Sequence, residues 1–117
     1  MERSSSQLYI SPVMKLSHML TRGRNISFQG HIYPTLIASE QHDINVGMGA
    51  FDIPPPYAMI FMLRGNYSTF TMNGVNFPLH VAFYDRNFRL LESFTAIPGM
   101  RNRANPQGAY YMVEVPL

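Results

Sequence analysis

Imidazoles stand at positions 18, 31, 42 and 80 of the chain, and there is no thiol. General acid–base or nucleophilic chemistry would therefore have to run through histidine, carboxyl or hydroxyl groups. His80 has the most defined surroundings. It lies in "STFTMNGVNFPLHVAFYD", Ser68 to Asp85. Asn73-Gly74 between alternating apolar residues is a strong hairpin signal. A two-residue turn there sets Met72 opposite Val75, Phe70 opposite Phe77 and Tyr67 opposite His80. One face then collects Phe70, Met72, Val75, Phe77, Leu79, Val81 and Phe83, a core face by its period of two. The other face presents Tyr67, Thr69, Thr71, Asn76, His80 and Tyr84. A catalytic imidazole needs an orienting partner and a nucleophile beside it. This face supplies neutral hydrogen-bonding groups instead. It reads as a candidate binding surface for a small ligand or glycan, or as an interface.

A second constellation is Glu40, His42 and Asp43, with Asp52 further on. Such groups can hold a divalent metal. No pair of histidines has the i, i+4 spacing of a helical zinc site, and acids at a helix start are favoured by its dipole. No metal is expected. A third is the pair Arg101 and Arg103 on the loop "PGMRNRANPQG". Two guanidinium groups can clamp a carboxylate or phosphate, but no glycine-rich phosphate loop joins a strand to a helix. With Arg22 and Arg24 they are expected to contact a protein partner. Neither a catalytic set nor a cofactor is expected.

The 117 residues make room for one domain. Only 14% are charged and 46% are hydrophobic, which fits a folded chain with a neutral surface or with surface buried against partners. The net charge of +2 is uneven. Residues 1–31 carry Arg3, Lys15, Arg22 and Arg24 against Glu2, while the remainder is slightly acidic. Basic groups this sparse argue against a nucleic-acid stripe. No apolar run has the length of a membrane span, and the N-terminus lacks the continuous apolar segment of a signal peptide. A cytoplasmic or virion-associated location is expected.

These groups must be positioned by strands. Residues 1–30 read as an N-terminal arm, and 31–117 as a single β-rich domain. "HIYPTLIA" is a strand interrupted at Pro34. Ser39 is a candidate N-cap for a short helix that ends near Gly47 and Gly49. "AMIFML" reads as a central strand. "FRLLESFTAI" and "AYYMVEVP" read as two more strands, the first entered through the turn "DRN". The fold class is mainly β (α+β): a compact, meander-rich, partly closed barrel or folded sheet with one short helix.

From Ile32 to Val115 the order of segments resembles the bacterial and archaeal family called domain of unknown function family 192. Its members run through a strand ending in A-D/S, a short helix, G-L-M, a G-M-L-F strand, F-W-M-K-N-T-x-I-P-L-D and F-I-D-x-x-G. The matching pieces are Thr35-Leu36-Ile37-Ala38, Gly47-Met48, Met59-Ile60-Phe61, Phe70-Thr71-Met72-Asn73, Phe77-Pro78-Leu79-His80 and Phe83-Tyr84-Asp85. Thr71 replaces the family's Trp, His80 its Asp and Ala58 its Gly. The resemblance implies the scaffold, with apolar and turn positions kept and polar positions rewritten.

The expectation is a non-catalytic structural or assembly module that meets protein partners through its arm and loops, as a homo- or hetero-oligomer. Phage-encoded relatives make a virion structural or decoration protein one concrete form. The alternative is a small-ligand or glycan-binding domain using Tyr67, Thr69, Thr71 and His80.

Overall fold

A computed structural model describes residues 21, 22, 25–66 and 68–117. The strands are β1 (Thr21–Arg22), β2 (Ile26–Phe28), β3 (His31–Tyr33), β4 (Thr35–Ala38), β5 (Ala58–Met62), β6 (Thr69–Phe70), β7 (Leu79–Tyr84), β8 (Leu90–Ala96), β9 (Arg103–Ala104) and β10 (Tyr111–Pro116). Between β4 and β5 lie a short helix, α1 (Gln41–Val46), and a 3-10 turn, Gly47–Ala50. The fold is mainly β with one short helix.

The main sheet has six strands in the order β1-β4-β5-β10-β7-β8. Among the described residues it is open, with β1 and β8 at its edges, so no closed barrel forms. Nor is it a meander. β4 and β5 run parallel, joined by the crossover through α1. The C-terminal strand β10 inserts between β5 and β7. Of the successive strands in this sheet, β7 and β8 form a direct antiparallel hairpin.

The register sorts the sheet into two faces. Leu36, Met59, Phe61, Leu79, Val81 and Phe83 fill the inner face and are buried. α1, the 3-10 turn and residues 70–77 cover it. Ile37, Ile60, Val113 and Tyr111 alternate onto the outer face, where they are half-buried. The central strand β5 is thus sealed on one side and partly covered on the other.

The expected hairpin at Asn73-Gly74 does not form. Val75 N–H does bond to the Met72 carbonyl, at 3.0 Å, so the turn exists. Gly74 has a φ of 79°, but Asn73 is not among the described residues with positive φ. A tight hairpin of type I′ needs positive φ at both central positions, whereas this arrangement is that of type II, which splays its arms. β6 therefore pairs with β9, and β7 pairs with β8 and β10. The core face survives the change of partner: Phe70, Met72, Val75, Phe77, Leu79, Val81 and Phe83 are all buried. The turn itself packs on the 3-10 segment, where a Cβ on Gly49 would stand 3.4 Å from the Asn73 carbonyl oxygen.

Pro34 separates two strands with different partners. β3 pairs with β2 in a small hairpin, and β4 joins the main sheet beside β1. Thr21–Arg22 and Ile26–Phe28, which fall in the expected arm, form β1 and β2. Of the rest of the expected arm, residues 1–20, 23 and 24 lie outside the described residues. The first intrahelical bond of α1 runs from Ile44 N–H to the Glu40 carbonyl, which places the cap at Glu40 rather than Ser39.

Candidate functional site

The sheet's inner face carries one residue that its neighbours do not predict. Glu114 sits in β10 with Met59 opposite on one side and Val81 on the other. Its side chain shares the inner face with Met112 and is 5% exposed. Burial pushes its carboxyl from the ordinary 4.5 up to about 8, and among the described residues no cation or hydrogen bond offsets the effect. At neutral pH this side chain is largely protonated.

Glu114 lines a cavity of about 280 Å3, closed on one side by α1 and the 3-10 turn and on the other by residues 68–75. That size is near the lower end of small-molecule pockets. Gln41 and Asn45 come from consecutive turns of α1 and are joined by a 2.8 Å hydrogen bond. Thr69 and Thr71 come from β6 and its exit, and Thr71 Oγ1 accepts the Asn73 N–H at 3.1 Å. Asn105 enters from the end of β9. Its backbone N–H bonds the Ser68 carbonyl, and its Nδ2 bonds Ser68 Oγ. Its Oδ1 is buried and has no partner among the described residues. The cavity thus combines a desolvated carboxyl, an unsatisfied amide oxygen and a rim of neutral hydrogen-bonding groups. Apolar walls come from Ile44, Met48, Phe70 and Met112.

Of the six residues expected to share one binding face, the five described ones are dispersed. Thr69 and Thr71 line the Glu114 cavity. His80 and Tyr84 lie on the opposite, outer face of the sheet with Phe28, Tyr111 and Val115, around a separate cavity of about 210 Å3. There Phe28 stacks on His80 with ring centroids 4.5 Å apart, and burial lowers the His80 pKa. Asn76 is exposed near Gly99 and Met100. Tyr67 lies outside the described residues. The grouping depended on the hairpin register and fails with it.

Of the expected interface arginines, Arg103 is turned onto its own fold. It pairs with Glu92 and lies 4.2 Å over the Phe94 ring. Arg101 is exposed. Arg22 is described as backbone of β1, and Arg24 lies outside the described residues. Asp52 is exposed, and among the described residues no three metal-ligating groups converge. No helix among them is long and apolar enough to cross a membrane.

Glu114 and Asn105 were missed by sequence reasoning. For Glu114 a signal existed: in "YYMVEVPL" it is the lone acid, in phase with Met112 rather than with the turn residues that usually carry charge. For Asn105, on a Pro/Gly loop, nothing in the sequence distinguishes it from an ordinary turn residue.

No family model and no curated protein matches the chain. Solved structures do. A protein of unknown function from Novosphingobium aromaticivorans DSM 12444 aligns with a TM-score of 0.65 at 15% identity, over 86% of this chain and 79% of that one. A "putative transcription regulator" from Sinorhizobium meliloti 1021 aligns with a TM-score of 0.68 at 18% identity, over 86% of this chain and 83% of that one. At these identities the likeness is one of fold.

Proposed function

We propose that this protein is a small-ligand-binding β domain whose site is the Glu114 cavity. The observation that carries the reading is a buried carboxyl without a counter-charge, set in a cavity ringed by amides and hydroxyls. A desolvated ionisable group in a concave site is where function concentrates. Binding is favoured over catalysis because Glu114 is the one titratable side chain among the described lining residues. A single group can move a proton, but nothing beside it would act as nucleophile or as second acid. Membership of domain of unknown function family 192 is part of the proposal, supported by the order of motifs from Ile32 to Val115.

The test is a thermal-shift screen of the full chain against amines, polyols and carboxylates, followed by amide NMR. A ligand of this site stabilises the fold by mass action, and its shifts cluster at residues 44–48, 68–75 and 112–114. Stabilisers whose shifts map to His80, Tyr84 and Tyr111 would place the site on the outer face and overturn the reading.

A second reading, assembly, has its own support. β8 is a sheet edge, and Phe88, Leu90 and Ile97 on and beside it are 64%, 57% and 58% exposed. Open apolar edges invite strand addition. The native mass of the full chain, compared with that of Leu90→Lys, tests it: a larger species lost in the variant supports assembly, and a monomer in both removes it. The phage virion form of this reading is supported by the family resemblance and not by the geometry.

A further inference from the structure

The cavity has a chemical bias that narrows its ligand. Its described lining contains one acid and no Lys, Arg or His. Going round the elements packed against Glu114, α1 contributes Gln41, Ile44, Asn45 and Val46, and the 3-10 turn contributes Gly47 and Met48. The 68–75 segment contributes hydroxyls, an amide and apolar groups, and β10 contributes Met112. Asn105 Oδ1 is buried with no hydrogen-bond partner among the described residues, and none of them offers a counter-charge to the Glu114 carboxyl. An unsatisfied buried acceptor is costly, and a ligand that supplies a donor recovers that cost. Turning the Asn105 amide over would let its oxygen accept from the Ser68 hydroxyl, but would leave its NH2 without a partner in the same place.

Resting on the binding reading above, we infer that the cavity takes a small organic cation, a primary ammonium or a guanidinium, with a short apolar body. Such a group carries donors and no acceptors. Its charge pairs with the Glu114 carboxylate, and a spare N–H suits the orphaned Asn105 oxygen. The apolar body meets Ile44, Met48, Phe70 and Met112. An anionic ligand would find no counter-charge and would meet a carboxyl. A neutral polyol would leave Glu114 protonated, and its binding would release no proton.

Pairing with a cation requires Glu114 to lose its proton, since the carboxyl is largely protonated below about pH 8. Binding and proton release are therefore linked. Affinity rises with pH up to that value, by about tenfold per unit when one proton is released.

The experiment uses the full chain and four probes of matched shape: n-butylammonium, n-butylguanidinium, n-butanol and n-butyrate, with erythritol as a polyol. Amide NMR and calorimetry are run at pH 6, 7 and 8. Saturable shifts at residues 44–48 and 112–114 are expected with the two cations alone, and tighter binding is expected at each higher pH. Calorimetry in two buffers of different ionisation enthalpy should show close to one proton released at pH 6, a readout that needs no variant. Glu114→Gln should abolish the pH dependence and weaken the cations by tenfold or more at pH 8. Saturable binding of butanol or erythritol without the cations would overturn the cation inference and leave the binding reading standing. Saturation by none of the five probes would overturn both. Cation binding that is independent of pH and unchanged in Glu114→Gln would overturn the inference.

Discussion

Glu114 and Val81 stand directly opposite each other across the β10–β7 ladder, a carboxyl facing a fully buried valine. On the other side of β10, Glu114 meets Met59, also fully buried. A strand interior of this kind calls for an apolar residue. A glutamate there withdraws stability from the fold, and the size of the loss depends on its protonation.

The sign follows from linkage. The folded-state value of about 8 lies above the ordinary 4.5, so between these limits the native chain holds a proton that the unfolded chain has released. Stability then falls as pH rises through that window, by about 1.4 kcal/mol per unit. Below it both states are protonated and above it both are ionised, so the contribution is flat. Glu114→Gln should remove the slope and should be more stable than the parent at pH 7 by about 3 kcal/mol. Urea unfolding at pH 5, 6.5 and 8 measures both. A parent whose stability is level from pH 5 to 8 would mean that the carboxyl is solvated after all.

Gly47 supports the same cavity from the other side. Its φ is 49°, and a Cβ there would stand 3.3 Å from the Phe61 ring and 3.9 Å from Glu114 Oε1. Gly47→Ala combines a left-handed backbone penalty with crowding of a packed ring. The expected loss is about 2–4 kcal/mol by urea unfolding, and the Phe61 ring must give by a few tenths of an ångström. Gly30 and Gly99 have positive φ but open space around them, so Ala there should cost about 1–2 kcal/mol from the backbone alone. Equal losses at all three sites would remove the packing part of the explanation.

The contrast between what the sequence disclosed and what it hid follows the range of each interaction. Burial of Phe70, Val75, Leu79 and Phe83 was legible because a strand's faces alternate with period two whatever its partner. The partner was not legible. It turned on the φ of Asn73, which the dipeptide Asn-Gly favours in the left-handed region without enforcing it. Once β6 went to β9, the face shared by Thr71 and His80 ceased to exist. Insertion of β10 between β5 and β7 is a long-range pairing with no local signature, and it alone puts Glu114 at the floor of a cavity.

Phe88 offers a measure of backbone strain on an exposed residue. Its φ is 61°, which is rare for a bulky side chain. It follows the Asp85–Asn87 turn, where Asp85 Oδ1 accepts the N–H groups of Asn87 and Arg89 at 2.8 and 2.9 Å. The ring stacks on Tyr111 at 4.2 Å between centroids. Phe88→Ala and Phe88→Gly both lose the stack, but Gly alone relieves the backbone. Gly should therefore be the more stable of the two by about 1 kcal/mol. The reverse order in urea unfolding would show that the left-handed conformation is held without strain.

Arg103 ties the β6–β9 ribbon to the main sheet, and its loss should reach the cavity. The guanidinium pairs with Glu92 on β8 and lies over the Phe94 ring of the same strand, while its backbone pairs with Phe70. Both partners of the ion pair are about one-third exposed, so the charge contact contributes little and the stacking more. Arg103→Ala should cost about 1–2 kcal/mol. Arg103→Lys keeps the charge but not the planar stack, so it should recover less than half. Because Asn105 follows two residues later and anchors Ser68, loosening the ribbon should also shift the amides of residues 68–71 and 105. Full recovery by Lys would assign the contribution to charge rather than to stacking. Unmoved amides at 68–71 would show that the ribbon is held by Ser68 and Asn105 without help from the arginine.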